Sequence, residues 1–379
     1  MMNKFVFNRQ ALAQSYCDSL EGKGIANNTS GLFLAGPRRV GKSTFLLRDL
    51  MPEVAARHWL SIYVDLWAEK ATDPALLIIE MIKTAMLSVS GGLKKVTRKV
   101  QLKKITVLGA VEIDFSKPGL PKSVTLVQLL EHLIAASKKP VVLIIDEAQH
   151  ALSTKAGLDA MFAIKSARDQ INLRGETSKL MLVFTGSNRD KLAQLLIKKD
   201  KPFFGSEVTA FPLLGRDYTD FFTDEVNKSL SANNQFSQAD MWEAFQLVGY
   251  KPEILRQIAG RVAISNEAQS LSGLLKKDAF LWHDQLWQDY ANDYEGLTEL
   301  QKAVLCLLIE KGRSWSPFSE EAMGFYQAKL GEPAKTPSVQ TAIQALRDKG
   351  LIWQSGRGSY ALEDEGFIEW FNYHEKSRV

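Results

Sequence analysis

Residues 36–44 read GPRRVGKST, and they follow the apolar stretch GLFLA at 31–35. The spacing G-x-x-x-x-G-K-[ST] is typical of a loop that joins a strand to a helix and surrounds phosphate oxygens with backbone N–H groups. Gly36 and Gly41 let the backbone turn inward, Lys42 supplies a cation, and the following helix presents its positive N-terminus. A chain with this loop is expected to fold as an α/β protein. We predict that phosphate is bound by Gly36, Pro37, Arg38, Arg39, Val40, Gly41, Lys42, Ser43 and Thr44.

Another apolar strand is predicted at Pro140–Asp146, and it ends in the acidic pair Asp146 and Glu147. Ligands of open α/β sheets bind beyond the carboxyl ends of the strands, which is where this pair would lie. Asp146 is expected to hold Mg²⁺ through water, while the hydroxyl of Ser43 binds the same ion. Glu147 is expected to be the general base that polarises the attacking water. The two motifs together predict hydrolysis of a bound nucleotide.

A third apolar segment, LMLVFTGSN, ends in Ser187 and Asn188. A polar side chain at this strand tip can reach between the γ-phosphate and the attacking water, and either residue is a candidate. Asn188 also stands directly before the helical pattern that starts at Arg189, where it is a candidate helix N-cap. The sequence leaves this choice open.

Short apolar runs alternate with helical patterns between residues 31 and 211. Strands are predicted at Gly31–Gly36, Trp59–Asp65, Pro140–Asp146, Leu180–Gly186 and Glu207–Phe211. Helices are predicted near 42–50, 74–89, 123–137, 155–173 and 189–197. This alternation favours a parallel sheet with helices on both faces, which is a three-layer α/β fold.

Residues 91–121 interrupt the alternation. They open with two glycines, carry six basic residues and no acidic one between Lys94 and Lys104, and continue as an apolar segment at 105–115. This pattern predicts an inserted hairpin. Its basic run is either a solvated face or a contact surface for nucleic acid or an acidic partner.

After Pro212 the strand patterns stop, and residues 215–292 are predicted to be helical with amphipathic spacing. A short break at Asn292–Gly296 precedes a third unit. That unit is predicted to contain helices at 298–311, 318–330 and 338–349 and strands at 351–354 and 359–362. Three helices followed by a two-stranded wing are typical of a winged helix-turn-helix. The predicted domains are an α/β domain at 1–212, a helical lid at 213–292 and a winged helix at 293–379.

Composition limits the location and the partners of the chain. Its 379 residues are enough for two or three domains. No apolar run approaches the roughly 20 residues that cross a bilayer, and the N-terminus lacks the apolar core of a secretory signal. Cys17 and Cys306 are too few and too distant for a disulfide framework or a zinc cluster. We expect a cytoplasmic protein without membrane contact, whose net charge of +4 mildly favours polyanions.

Together these segments resemble the AAA+ superfamily of P-loop ATPases, and more narrowly the archaeal-type ATPases that neighbour the STAND signalling ATPases. The resemblance rests on GPRRVGKST, LIIDEAQH and FTGSN, and on the segment from Gly249 to Pro252 as the turn that opens a lid helix. It implies that the nucleotide is ATP and that the metal ion is Mg²⁺. It also implies that Arg9, in the opening segment at 7–12, lies near the adenine.

Arg256 stands one turn into the helix that starts at Pro252. We expect it to reach the γ-phosphate from the lid; the alternative is a surface arginine on an amphipathic helix.

The chain departs from the family where Ser206 follows PFFG, because family members often carry an arginine there. It also lacks the acidic residues of the family's opening segment. The sequence therefore does not identify the source of an arginine finger.

The expected function is ATP binding and slow hydrolysis coupled to conformational change, with the winged helix bound to double-stranded DNA through residues such as Arg347 and Arg357. From Lys329 to Arg357, five basic residues stand against two acidic ones, so charge alone does not decide. A rival hypothesis is a STAND-like signalling or defence switch whose winged helix makes protein contacts. A third is an ATPase subunit of a mobile-element or defence system whose basic hairpin docks a protein effector. A homo-oligomer is also left open.

Overall fold

The computed structural model describes residues 6–23, 27–89, 104–107, 111–114, 117–121, 123–174, 178–265 and 270–374, with the backbone alone for 104–107 and 111–114. Strands β3 (Lys104–Val107) and β4 (Val111–Asp114) pair antiparallel in the segment for which a hairpin is predicted. The basic run between Lys94 and Lys104 lies outside the described residues, except for the backbone of Lys104.

A five-stranded parallel sheet forms the centre of the first half of the chain. Its strands are β1 (Leu32–Ala35), β2 (Leu60–Asp65), β5 (Val141–Asp146), β6 (Leu180–Gly186) and β7 (Val208–Ala210). They lie in the order β2-β5-β6-β1-β7. Each strand falls within its predicted segment, and the predicted parallel sheet of a three-layer α/β fold is confirmed.

Both faces of the sheet are covered because its central strands are apolar on both sides. Within β5, Val141, Leu143 and Ile145 pack into the core on one face. The helices of that face are α4 (Pro74–Val89), α5 (Leu126–Ser137) and α6 (Lys155–Leu173). Val142 and Ile144 pack into the core on the opposite face, together with helix α1 (Gln10–Glu21).

The helix that follows the loop at 36–41 contains a widened turn. It consists of α2 (Lys42–Phe45), a π-helical turn (Leu46–Leu50) and α3 (Met51–Ala56). Pro52 lies in the first turn of α3 and has no N–H to donate to the carbonyl one turn earlier. We attribute the widened turn to this proline, since π turns relieve such a conflict without ending the helix. The turn carries the buried Asp49.

A five-residue helix, α7 (Arg189–Ala193), extends from the end of β6. A separate helical unit follows the sheet. The unit itself consists of α8 (Arg216–Asn227), α9 (Gln238–Leu247), α10 (Pro252–Ala263) and α11 (Leu271–Glu295). The predicted break begins too early, because α11 continues through Asn292 to Glu295. Tyr290 and Tyr294 keep this end helical by packing against aromatic rings of the C-terminal unit.

The C-terminal unit contains three helices followed by a two-stranded sheet. The helices are α12 (Glu299–Lys311), α13 (Glu320–Leu330) and α14 (Thr336–Asp348). Strands β8 (Ile352–Gly356) and β9 (Ser359–Leu362) pair antiparallel, and α15 (Gly366–His374) closes the unit. Across the described parts of the chain, no helix combines the length and the apolar character needed to span a membrane.

Helix α7 joins the sheet to the C-terminal unit through a set of polar contacts that we call the docking contact. Asp190 accepts hydrogen bonds from Nε of Arg347 at 2.9 Å and from the backbone N–H of Gln354 at 2.9 Å. The backbone N–H of Arg189 donates to Glu363 at 2.6 Å. The side chain of Arg347 is only 15% exposed. The guanidinium of Arg347, which the sequence predicts to contact DNA, is thus paired with Asp190 within the chain.

Candidate functional site

The loop from Gly36 to Gly41 connects β1 to α2, and its two glycines have different functions. Gly41 adopts a φ of +93°, which lies in the left-handed region that favours glycine. Gly36 is required instead for close approach, because a Cβ there would lie 3.2 Å from the Cβ of Phe211. Arg39 also has a positive φ of 67°, an uncommon conformation for a residue with a side chain. The loop thus holds strained backbone beside the N-terminus of α2.

Lys42 is buried at the end of this loop, with 5% of its surface exposed. Its Nζ donates to the carbonyl oxygens of Gly36 at 2.6 Å and Pro37 at 2.7 Å. Burial lowers the pKa of the Lys42 ammonium, and the negative charges of Glu147 and Asp146 oppose that shift. The cation is therefore held beneath the loop and faces the acidic pair at the end of β5.

Asp146 is the buried centre of the acidic pair, with 2% of its surface exposed. Its Oδ2 accepts a hydrogen bond from the hydroxyl of Tyr63 on β2 at 2.8 Å. Its Oδ1 accepts from the hydroxyl of Thr185 on β6 and from the backbone N–H of Glu147. Burial raises the pKa of the Tyr63 hydroxyl, and the charge of Asp146 raises it further, whereas a hydrogen bond with Ser43 opposes the shift. Tyr63 therefore links the two predicted metal-binding residues.

Glu147 follows β5 with a left-handed backbone, at a φ of 54°. Its Oε2 accepts hydrogen bonds from the hydroxyl of Ser187 at 2.8 Å and from the backbone N–H of Ser187 at 3.2 Å. The side-chain amide of Gln149 donates to the same oxygen. The carboxylate is thus oriented by the tip of β6 and by the helical turn that follows Glu147.

The two candidates at the tip of β6 lie in different environments. Ser187 contacts Glu147, whereas Asn188 caps α7 by accepting a hydrogen bond from the backbone N–H of Lys191 at 2.7 Å. Of the two, Ser187 is the residue whose side chain lies at the acidic pair. Asp65, at the end of β2, accepts a hydrogen bond from the backbone N–H of Trp67 at 2.8 Å and so stabilises the turn after that strand.

A cavity of about 960 Å³ lies above these groups. The predicted residues that line it are Arg9, Arg38, Arg39, Val40, Gly41, Lys42, Ser43, Thr44, Glu147 and Arg256. From the helical unit, α10 also contributes Glu253, which lies 3.8 Å from the guanidinium of Arg39. The cavity therefore lies between the loop, the acidic pair and the helical unit.

Arg9 positions the N-terminal segment at this cavity. Its guanidinium donates to the carbonyl of Pro212 at 2.8 Å and lies 4.9 Å from the ring centre of Phe211. Its backbone N–H donates to Asp49 at 2.6 Å. Burial lowers the pKa of the Arg9 guanidinium and raises that of the Asp49 carboxyl. The sequence motif predicted Arg9, whereas Asp49 depends on the π-helical turn and could not be identified from a motif.

Several cavity residues were not identified from the sequence. Phe7 and Tyr218 line the cavity and pack edge to face, with ring centres 5.6 Å apart. Trp67 also lines it, and the guanidinium of Arg38 lies 5.3 Å from its ring centre. His150 packs against the same tryptophan, with ring centres 4.4 Å apart. These residues belong to loops and helices whose packing partners are distant in sequence. No local sequence pattern could therefore predict that they lie at the cavity.

Comparison with known proteins agrees with this architecture. Residues 26–196 match the family model described as AAA domain. The chain is similar to a Walker-type ATPase of Pyrococcus abyssi, with a TM-score of 0.56 and 18% identity over 98% of this chain and 97% of that one. It is also similar to the ORC2 protein of Aeropyrum pernix in its ADP form, with a TM-score of 0.55 and 13% identity over 97% and 93% of the two chains. A search of curated proteins gave no significant match.

The sheet order, the loop at 36–44 and these similarities define the fold of the chain. The chain has the fold of an AAA+ P-loop ATPase. The matched AAA domain contains the loop, the acidic pair and Ser187.

Replacing Thr185 by valine tests how far Asp146 depends on its donors. The variant removes a hydroxyl of nearly the same shape and leaves a buried carboxylate with one fewer hydrogen bond. We expect a loss of about 1–3 kcal/mol in the free energy of unfolding, measured by urea denaturation. Thr84→Val, on the exposed side of α4, is the matched control and should stay within about 0.5 kcal/mol of wild type. Equal stability of the two variants would contradict the role given to Thr185.

Proposed function

We propose that this protein binds ATP in the cavity and hydrolyses it. The observation that carries the proposal is the convergence of Lys42, Glu147 and the loop backbone on one cavity, which α10 closes from the opposite side. This arrangement combines a cation, an oriented carboxylate and a helix N-terminus, which are the groups that phosphoryl transfer to water requires.

Mg²⁺ fits the donor chemistry of the site. Ser43 and Asp146 offer hard oxygen donors, and Tyr63 lies in hydrogen-bonding contact with both. In P-loop proteins the serine hydroxyl binds Mg²⁺, and a carboxylate at the end of another strand of the sheet also holds the ion, while waters fill other positions. When bound, the ion would neutralise charge on the phosphate oxygens. Ser43 and Asp146 are the residues that would hold it.

The remaining side chains have separate tasks in the proposed reaction. The Lys42 ammonium leaves the carbonyls of Gly36 and Pro37 and contacts the β- and γ-phosphates. Glu147 accepts a proton from the attacking water. Ser187 keeps the carboxylate of Glu147 oriented. Arg256, on the lid side of the cavity, stabilises charge on the γ-phosphate.

Arg9 is proposed to fix the base-binding end of the cavity. Its guanidinium ties the N-terminal segment to Phe211 and Pro212 just after β7. Phe7, two residues earlier, lines the cavity beside Tyr218 of the helical unit. Aromatic and apolar faces of this kind suit a purine ring. Closure of the helical unit over the nucleotide would then couple ATP binding to a conformational change.

We further propose that the C-terminal unit is a winged helix that binds double-stranded DNA. Helix α14 has an exposed polar face that begins near its start and is made of Ser338, Gln340, Thr341 and Gln344. Helix-turn-helix proteins contact base edges with residues near the start of their second helix. Lys349 and Arg357 are also exposed and could neutralise phosphates, although Arg347 is paired with Asp190.

The rival proposal is a STAND-like switch, and the docking contact favours it. The C-terminal unit already makes a protein contact, in which α14 and β8 pack beside α7. That contact lies next to Ser187, so a change at the acidic pair could alter the position of the C-terminal unit. In this proposal the C-terminal unit binds protein, either an effector or a second copy of the chain, rather than DNA.

Lys42→Ala tests nucleotide binding. The loop would lose its buried cation, so we expect ATP affinity to fall by roughly 100-fold, measured by isothermal titration calorimetry. Lys70→Ala is the control, because its ammonium lies over the ring of Trp67 beside the same cavity. ATP affinity of Lys42→Ala within twofold of wild type would refute binding at this loop.

Glu147→Gln tests hydrolysis. The amide keeps the shape of the side chain but cannot accept a proton, while Asp146 and Ser43 are unchanged. We expect normal ATP binding and a turnover reduced by roughly 10²–10⁴-fold, measured by phosphate release. Glu207→Gln, on the exposed segment before β7, should behave like wild type. Undiminished turnover of Glu147→Gln would place the general base elsewhere.

Arg357→Gln and Arg347→Gln form a matched pair that tests DNA binding. If the C-terminal unit binds duplex DNA, Arg357→Gln should reduce the slope of log K against log salt by about 0.9 for one lost phosphate contact. Arg347→Gln should leave the slope unchanged and lower the free energy of unfolding, because Asp190 would lose its partner. The measurement is titration of a labelled duplex at several salt concentrations. Absence of duplex binding at low salt, with and without ATP, would favour the switch instead.

A further inference from the structure

Gln149 is a buried polar residue outside the motif positions predicted to act in the reaction. It lies in the short 3₁₀ helix Ala148–Ser153 directly after Glu147, with 6% of its surface exposed. Its amide nitrogen donates to Oε2 of Glu147. Its amide oxygen is buried and has no hydrogen-bond partner among the described residues.

The two ends of the Gln149 amide face different surroundings. The oxygen lies against β6, where a Cβ on Gly186 would be only 2.8 Å away. The opposite amide orientation would place the oxygen against the carboxylate of Glu147, where two acceptors would repel each other. The observed orientation therefore gives Glu147 a donor and leaves an acceptor unpaired between the strands.

An unpaired buried acceptor destabilises a folded chain, and an apolar side chain at 149 would avoid that penalty. The compensating gain is the hydrogen bond to Glu147. With Ser187, it brings three hydrogen bonds onto one carboxylate oxygen. The other oxygen of Glu147 is then the one that can accept a proton from water in the cavity.

We propose that Gln149 is a positioning residue for ATP hydrolysis, an inference that rests on the proposed function. Its amide and Ser187 hold one oxygen of Glu147, so that the second oxygen is directed at the attacking water. Gly186 supports this arrangement, because a Cβ at position 186 would take the space that the amide oxygen of Gln149 occupies.

Gln149→Leu removes the donor and the unpaired acceptor together. We expect kcat to fall by roughly tenfold or more, since a misaligned base loses part of its catalytic effect. ATP affinity measured by calorimetry should stay within twofold of wild type, and thermal stability should not decrease. Gln170→Leu, an exposed glutamine on α6, is the matched control and should leave kcat unchanged.

Gln149→Glu replaces the donor with a second carboxylate beside Glu147. It removes the donor and nearly keeps the size of the side chain, so kcat should fall by roughly tenfold or more while ATP affinity stays within twofold of wild type. Gly186→Ala displaces the amide oxygen from the neighbouring strand, and its backbone conformation accepts alanine. It should lower kcat without changing ATP affinity, although every proposed catalytic side chain is retained.

These results separate the inference from the proposed function. Full turnover in Glu147→Gln would refute the proposed base itself. If Glu147→Gln is inactive, a wild-type kcat in Gln149→Leu or in Gln149→Glu would overturn the role of Gln149 alone. If Gln149→Leu fails to fold, Gly186→Ala decides, because a fall in kcat at unchanged ATP affinity is not expected of a merely structural residue.

Discussion

The carboxylate of Asp146 is hydrogen-bonded from both of its neighbouring strands, by Tyr63 on β2 and by Thr185 on β6. A buried carboxylate is tolerated only when such donors replace water, so the register of all three strands is constrained by one charge. Asp65 pairs with Asp146 and Phe184 with Ile145, which brings the strand ends to one edge. The positions of Ser43 and Glu147 depend on this arrangement, because both contact the groups around Asp146.

The class of fold could be predicted because the strands are continuous apolar runs and because the spacing of glycine, lysine and serine in the loop at 36–44 rarely occurs by chance. Gly41 confirms the expected turn through its positive φ. Gly36, by contrast, is required by contact with Phe211, which lies 175 residues away in sequence and is invisible to local patterns. The end of α11 was predicted less accurately: the helix continues into the predicted break as far as Glu295, because aromatic rings of α15 pack against its last turns.

The site could be predicted where a residue acts through a motif, and it could not where a residue acts through packing. Lys42, Asp146 and Glu147 lie together as the two motifs imply. Ser187 and Asn188 were equivalent in sequence, and the start of α7 separates them because a helix needs an acceptor at its first turn. The ion pair of Arg347 could not be predicted, since its partner Asp190 is 157 residues distant and a basic residue on a helix gives no sign of an intramolecular ion pair.

Helix α7 is only five residues long, and its two ends belong to different parts of the molecule. Asn188, which caps it, follows the serine that holds Glu147, whereas Asp190 within it binds the C-terminal unit. A helix of five residues is too short to absorb a shift at one end by bending, so the shift moves its other end as well. If a ligand at one end shifts the helix and so changes affinity at the other end, the coupling is reciprocal, and each ligand changes the affinity of the other by the same factor. A partner of the C-terminal unit would then act as an effector at the cavity beside Glu147, and a ligand of that cavity as an effector of the partner.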